Sequence, residues 1–204
     1  MNYILTESQI DRLKLDVSIV KEGEFDDDFM KPIGKGGDHE VFSIDSDWLL
    51  KIPHKNWMRL PTRIIAEKFD KYIKFMKQYP DIFIQIKKLS KLRAAVEKAD
   101  IDKAGEEIEY VYHLMMTHKD LHDEMLERHK PYRLIEDLYS CNRPEIVQIF
   151  KNLIKYGKKN NDEVVTKWCN FIIKLKKAFG NKDLDIHSGN IGIDKNGNIK
   201  LVDY

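Results

Sequence analysis

Asp183-Leu184-Asp185-Ile186-His187-Ser188-Gly189-Asn190, followed after a short hairpin by Ile199-Lys200-Leu201-Val202-Asp203-Tyr204, is the stretch on which the reading of this chain turns. Asn190 follows Asp185 by five positions, and the apolar pair Leu201-Val202 leads into a further carboxylate at Asp203. In such a set one carboxylate can orient a hydroxyl and accept its proton. A carboxamide and a second carboxylate offer the hard oxygens that Mg²⁺ prefers. Asp and Asn are also common turn residues, so the set gains meaning only if the upstream sequence supplies complementary groups.

Upstream, Ile33-Gly34-Lys35-Gly36-Gly37-Asp38-His39-Glu40-Val41-Phe42-Ser43-Ile44 reads as strand, glycine turn, strand. Asp45-Ser46-Asp47 reads as a second turn and Trp48-Leu49-Leu50-Lys51-Ile52 as a third strand closed by Pro53. Glycines in the first turn let backbone approach a ligand closely because they lack Cβ. Pro61 to Gln78 carries Ile64, Ile65, Phe69, Tyr72, Ile73 and Met76 near a helical period, with Glu67 off the centre of the stripe and Pro80 as the stop. Residues 82–86 and 92–96 are expected to be strands joined by a lysine-rich turn, with Glu97-Lys98-Ala99-Asp100 as the connector out of the sheet; Tyr110 to Leu114 is the competing connector. Helices are then expected over 103–116, 121–129, 145–156 and 162–179, the last ended by Gly180 and Asn181. Ile191 to Ile193 and Asn198 to Val202 form a hairpin around an Asn-Gly turn. At the other end, Thr6-Glu7-Ser8-Gln9 has the form of a capping box opening a short helix, and Val17 to Val20 of a strand.

The 204 residues allow one large domain or two small lobes, and 42% apolar with 34% charged residues describes a globular protein rather than a disordered one. The net charge of +1 exerts no global pull on nucleic acid or a membrane surface. Locally the balance is uneven: Glu97 to Glu127 holds ten acidic against three basic residues, Lys151 to Lys182 nine lysines against two acids. Such stretches either meet each other or a partner, or are simply solvated helix faces. Cys141 and Cys169 lack metal or redox spacing and read as reduced thiols. With no export segment at the start and no apolar run long enough for a bilayer, a cytoplasmic protein is expected.

Together the glycine turn, Lys51, Glu67 and the Asp185/Asn190/Asp203 set resemble the protein-kinase-like family. Gly34 to Val41 resembles its Gly-x-Gly-x-x-Gly-x-Val loop, and Leu49-Leu50-Lys51 the strand that carries its nucleotide lysine. Asp185 to Asn190 is closer still to the catalytic loop of aminoglycoside phosphotransferases and small phage-type kinases, and Ile199 to Tyr204 resembles the strand entering Asp-Phe-Gly. The resemblance spans residues 31 to 204. It implies a two-lobed α+β fold: an N-terminal extension (1–30), an antiparallel-sheet N-lobe (31–98) and a truncated, mainly helical C-lobe (99–204). It also implies ATP and Mg²⁺ as cofactors, and transfer of phosphate to a protein or small-molecule hydroxyl. In that scheme Gly34, Gly36, Gly37, Val41, Glu97 and Ala99 contact the nucleotide. Lys51 holds its phosphates and is oriented by Glu67, Asn190 and Asp203 hold the metal, and Asp185 positions the acceptor. His187 is expected to bond backbone within its loop.

Several positions depart from the family pattern. His39 stands where the third glycine would be and is expected to make the loop tip bulkier. Leu49 replaces a small residue and is expected to crowd the purine, and Asp183 replaces a histidine. No activation segment is expected after Tyr204. His39, Leu49 and the missing activation segment support an alternative: a pseudokinase that binds a partner protein with or without nucleotide. Glu67 also admits a plain surface role, and Trp48, Trp57 and Trp168 read as core or interface residues.

Overall fold

Alternation along Trp48-Leu49-Leu50-Lys51-Ile52-Pro53 sends successive side chains to opposite faces of a strand, and this strand is the centre of an antiparallel sheet. The computed structural model describes residues 32–35, 39–53, 61–180, 182 and 184–203. The N-terminal helix and strand expectations, Gly36, Gly37, Trp57, Asn181, Asp183 and Tyr204 lie outside the described residues. The chain is α+β and divides into two units. The first runs to Pro80 and takes in Gln85–Lys98; the second comprises Asp81–Ile84 and everything from Ala99.

In the first unit, β1 (Pro32–Lys35), β2 (His39–Ser43), β3 (Trp48–Pro53), β4 (Ile86–Ser90) and β5 (Arg93–Glu97) form one sheet in the order β1-β2-β3-β5-β4. The β2–β3 turn falls at the expected place: buried Asp45 accepts the backbone N–H of Asp47 at 2.7 Å and of Trp48 at 2.9 Å. Val41 and Ala94 stand opposite Lys51 on the two neighbouring strands, and Ala95 stands opposite Leu50. Helix α1 (Thr62–Gln78) buries Ile65, Phe69, Tyr72, Ile73 and Met76 as its stripe requires, while Ile64 at the margin is 40% exposed. His39 departs from expectation. It is a buried β2 residue rather than a loop-tip obstacle, its ring 4.9 Å from that of Tyr72 and 5.8 Å from that of Phe69.

The strand expected over 82–86 is displaced. Pairing in the sheet begins only at Ile86, and Lys87 and Lys88, read as a turn, lie in β4 with their side chains exposed. Lys88 pairs there with Asp70 of α1, and that ammonium holds the Asp70 carboxyl below its ordinary value. Ile82, Phe83 and Ile84 instead join the second unit. The Leu201 N–H donates to the Ile82 carbonyl at 2.8 Å, and the Ile84 N–H to that of Leu201 at 3.1 Å. Apolarity alone does not say which of two sheets a short run completes.

The second unit holds α2 (Ile101–Thr117), α3 (Glu124–Ser140), α4 (Pro144–Asn160), α5 (Glu163–Phe179) and the hairpin β6 (Ile191–Ile193) and β7 (Ile199–Leu201). Asp100 and Asp162 cap α2 and α5, accepting the N–H groups of Lys103 at 2.9 Å and Val165 at 3.0 Å. α3 is longer than expected and broken at Lys130 (φ 57°, ψ 172°), immediately before Pro131. Proline lacks the N–H a continuous helix needs and pushes its predecessor to extended ψ. The core is built from Ala104, Ile108, Val111 and Met115 of α2 and from Trp168, Ile172, Leu175 and Phe179 of α5, among others. The acidic and basic stretches meet at a part-buried ion pair. Glu107 of α2 accepts from Lys167 Nζ at 2.7 Å and from Trp168 Nε1 at 2.9 Å. Among the described residues no helix is long and apolar enough to cross a membrane.

Candidate active site

The predicted site residues fall on both units, and each group takes its geometry from its own unit. In the first, Lys51 is only 3% exposed, on the face of β3 that it shares with its cross-strand neighbours Val41 and Ala94. Its ammonium donates to Tyr72 Oη at 2.5 Å and lies 4.8 Å from the centre of that ring. Burying a lysine requires such hydrogen bonding, since desolvating an ammonium is otherwise costly. Glu67 does not orient Lys51. It lies on the outer side of α1 with its carboxylate 59% exposed, and accepts from Arg63 Nε at 3.0 Å, one helical turn back. The reason is angular: in α1 the buried stripe runs through Ile65, Phe69 and Tyr72, and Glu67 is rotated off it.

Gly34 pairs with Val41 across a register shift between Pro32 and Gly34. Glu97 closes β5 opposite Trp48, is buried, and donates its N–H to the Gln85 carbonyl at 3.0 Å. Ala99 belongs to the second unit, where it meets the hairpin. A Cβ added to Gly192 would stand 2.6 Å from the Ala99 Cβ, so β6 can approach this segment only as glycine.

In the second unit the Asp185 loop is held from both sides. Leu184 and Ile186 are buried, and the Ile186 N–H donates to the Leu184 carbonyl at 2.8 Å. That three-residue turn puts Asp185 at its apex, with a side chain 70% exposed. Asn190, at the end of the 3₁₀ turn Ser188–Asn190, returns to it: Asn190 Nδ2 donates to the Asp185 carbonyl at 3.0 Å and to Asp185 Oδ2 at 3.3 Å. The Val202 N–H donates to the Asn190 carbonyl at 2.9 Å, which ties half-buried Asp203, the next residue, to the same loop. Asn190 and Asp185 are thus joined side chain to side chain, and Asp203 follows the residue whose backbone pairs with Asn190. His187 behaves as its spacing suggests, its Nδ1 accepting the Gly189 N–H at 3.1 Å. Its ring also stacks on Tyr132, with centroids 4.8 Å apart and planes at 18°.

Asn190 and Asp203 are the oxygen-bearing side chains expected to serve a hard cation. With Nδ2 turned to Asp185, the Asn190 amide presents its oxygen elsewhere, and Asp203 adds a carboxylate. Among the described residues no group of three His, Cys, Asp or Glu side chains could hold a metal alone. An open groove of about 660 Å³ lies elsewhere in the second unit, lined by Lys158, Lys167, Asn170 and Lys174 with the Gly197–Asn198 turn, and none of the Asp185 cluster lines it. Sequence reasoning missed Tyr72 as the partner of Lys51 and Tyr132 as the partner of His187. The only signal for Tyr72 was its polar tip in an apolar stripe; Tyr132, just after a helix-breaking proline, carried none.

No protein-family model matches this chain, and no curated protein matches its sequence. Among solved structures it is similar to the streptomycin–ATP ternary complex of APH(2″)-IIa, at 15% identity over 99% of this chain and 71% of that one, with a TM-score of 0.38. Macrolide 2′-phosphotransferase type I aligns over 99% and 73% at 10% identity and a TM-score of 0.37. Choline kinase LicA from Streptococcus pneumoniae aligns over 95% and 67% at 12% identity and a TM-score of 0.37. Likeness this loose assigns no residue and names no substrate.

Proposed function

We infer that this chain is an ATP- and Mg²⁺-dependent phosphotransferase acting on a hydroxyl. The observation that carries the reading is the Asp185 cluster: an exposed carboxylate at the apex of a turn, braced by Asn190, with Asp203 on the adjoining strand end. Asp185 orients the acceptor hydroxyl and accepts its proton. Asn190 and Asp203 hold the metal, whose charge offsets that of the phosphates. Lys51 serves the α- and β-phosphates of the nucleotide. Positioning and charge stabilisation supply most of the rate in such chemistry. The acceptor is a protein or a small-molecule hydroxyl.

The arrangement at Lys51 favours a second reading. Its ammonium meets Tyr72, and Glu67 is turned to Arg63. A Glu67 turned away from Lys51 suits a pseudokinase that binds a partner. Thermal melts with millimolar ATP, with and without Mg²⁺, come first, since a ligand of the folded state raises its stability. A Mg²⁺-dependent upward shift is expected, and no shift rejects the phosphotransferase. Radiolabelled ATP with the wild type and Asp185→Asn then separates transfer from binding. Label transferred equally by both rejects Asp185 as the catalytic residue.

A further inference from the structure

Building on the phosphotransferase reading, we propose that Tyr132 and His187 are positioning residues that set the direction of the Asp185 carboxylate. The two His187 nitrogens have different tasks. Nδ1 accepts the Gly189 N–H at 3.1 Å, so the proton of the neutral ring sits on Nε2. Nε2 lies 3.7 Å from Asp185 Oδ2. The same oxygen takes Asn190 Nδ2 at 3.3 Å. Oδ2 is therefore flanked by two N–H groups, which leaves Oδ1 as the oxygen able to meet a hydroxyl. The Nε2 contact is long, and its direction depends on what fixes the imidazole plane. One side of that plane is covered by Tyr132 at 4.8 Å and 18°.

Tyr132 is half exposed, so packing in the core does not account for its place. It follows the break of α3 at Lys130, a non-glycine residue with positive φ, in a helix that packs against the Ser188–Asn190 turn. An unbroken helix would carry position 132 in another direction. Non-glycine residues in this backbone region persist only where surrounding structure holds them.

The test uses the full chain labelled with ¹⁵N-histidine at about pH 8, above the ordinary imidazole range. Long-range ¹H–¹⁵N spectra are expected to show His187 protonated on Nε2, with ring protons moved upfield by Tyr132. Tyr132→Phe keeps the upfield position and Tyr132→Ala loses it, with Tyr132→Leu as a bulkier check on folding. Asp185→Asn is expected to move the Nε2 resonance in the wild-type background and to leave it in place when combined with Tyr132→Ala. A ring shift that survives Tyr132→Ala, or an Asp185→Asn response undiminished by it, overturns the proposal. In turnover of ATP, Tyr132→Ala is expected to lower kcat roughly tenfold at unchanged KM, with Tyr132→Phe restoring it; equal turnover overturns the positioning role. A wild type that binds no nucleotide removes the phosphotransferase reading instead, and the histidine spectra still decide the geometry.

Discussion

Tyr72 stands beside Lys51 where sequence spacing pointed to Glu67, and the two residues differ in what their removal should cost. Tyr72→Phe deletes the hydroxyl that accepts from a buried ammonium while leaving the ring in place. The expected loss is about 1.5–3 kcal/mol of unfolding free energy. Glu67→Ala breaks a solvent-exposed helix pair and should stay within about 0.5 kcal/mol. Urea unfolding of both variants checks the order, and a larger loss for Glu67→Ala would contradict this placement. Cys169 makes a second residue-scale prediction. Burial pushes its thiol up to about 12 from an ordinary 9.0. It should stay unreactive to a disulfide reagent in the folded protein at about pH 8.5 and react only on unfolding, whereas half-buried Cys141 is open to the reagent. The sign for stability follows. Between the two values the unfolded chain releases a proton that the folded one keeps, so the thiol's contribution is intact below about 9 and declines as pH rises towards 12. Cys169→Ala should flatten that decline in melts taken across the interval.

At the scale of elements, the boundaries follow local chemistry wherever a cap or a turn sets them. Asp100, Asp162 and Gly180 close their helices, and the Asn196-Gly197 turn (φ 81° at Gly197) makes the hairpin. Asp162→Ala removes the α5 cap together with the 2.7 Å bond from Tyr110, and should cost about 1–2 kcal/mol in thermal or urea unfolding. Gly192→Ala tests a close approach. Its new Cβ would meet the Ala99 Cβ at 2.6 Å and the Ala99 backbone at 3.3 Å, and a packed site yields to such insertion at about 1–3 kcal/mol. Retention of full stability would mean that β6 and Ala99 are less closely packed than described. The places where periodicity misled are those with two competing partners. Residues 82–84 satisfied a strand pattern but paired with β7 rather than with β5, and α3 extended past Pro131 because a new turn begins where the old one cannot continue.

Across the whole molecule the charges nearly cancel, yet they are segregated along the chain, with α2 in the acidic stretch and α4 and α5 in the basic one. Most of these side chains are exposed, as solvated faces would be. Glu107 is part-buried, holding Lys167 and the Trp168 indole together. Glu107→Gln keeps one acceptor but removes the charge from both bonds. A loss of about 1.5–3 kcal/mol is expected, read as a lowered midpoint in urea. A neutral outcome would place the adhesion of α2 to α5 in their apolar contacts alone.

Local pattern was enough for the α+β class, for the β2–β3 turn, for the buried stripe of α1 and for the order in which the chemical residues arrive. Each of these depends on neighbours in the chain: a period, a cap or a turn residue. The Asp185–Asn190 relation was legible for the same reason, since five residues through a turn and a 3₁₀ segment bring the two side chains together. Only the tertiary structure decided that Lys51 meets Tyr72, that Glu67 faces water, that His39 is buried against α1 and that Tyr132 covers His187. Those outcomes depend on how a helix is rotated about its axis and where a second helix is broken. A rotation of one residue, about 100°, exchanges the side chain that reaches a strand for one that reaches solvent.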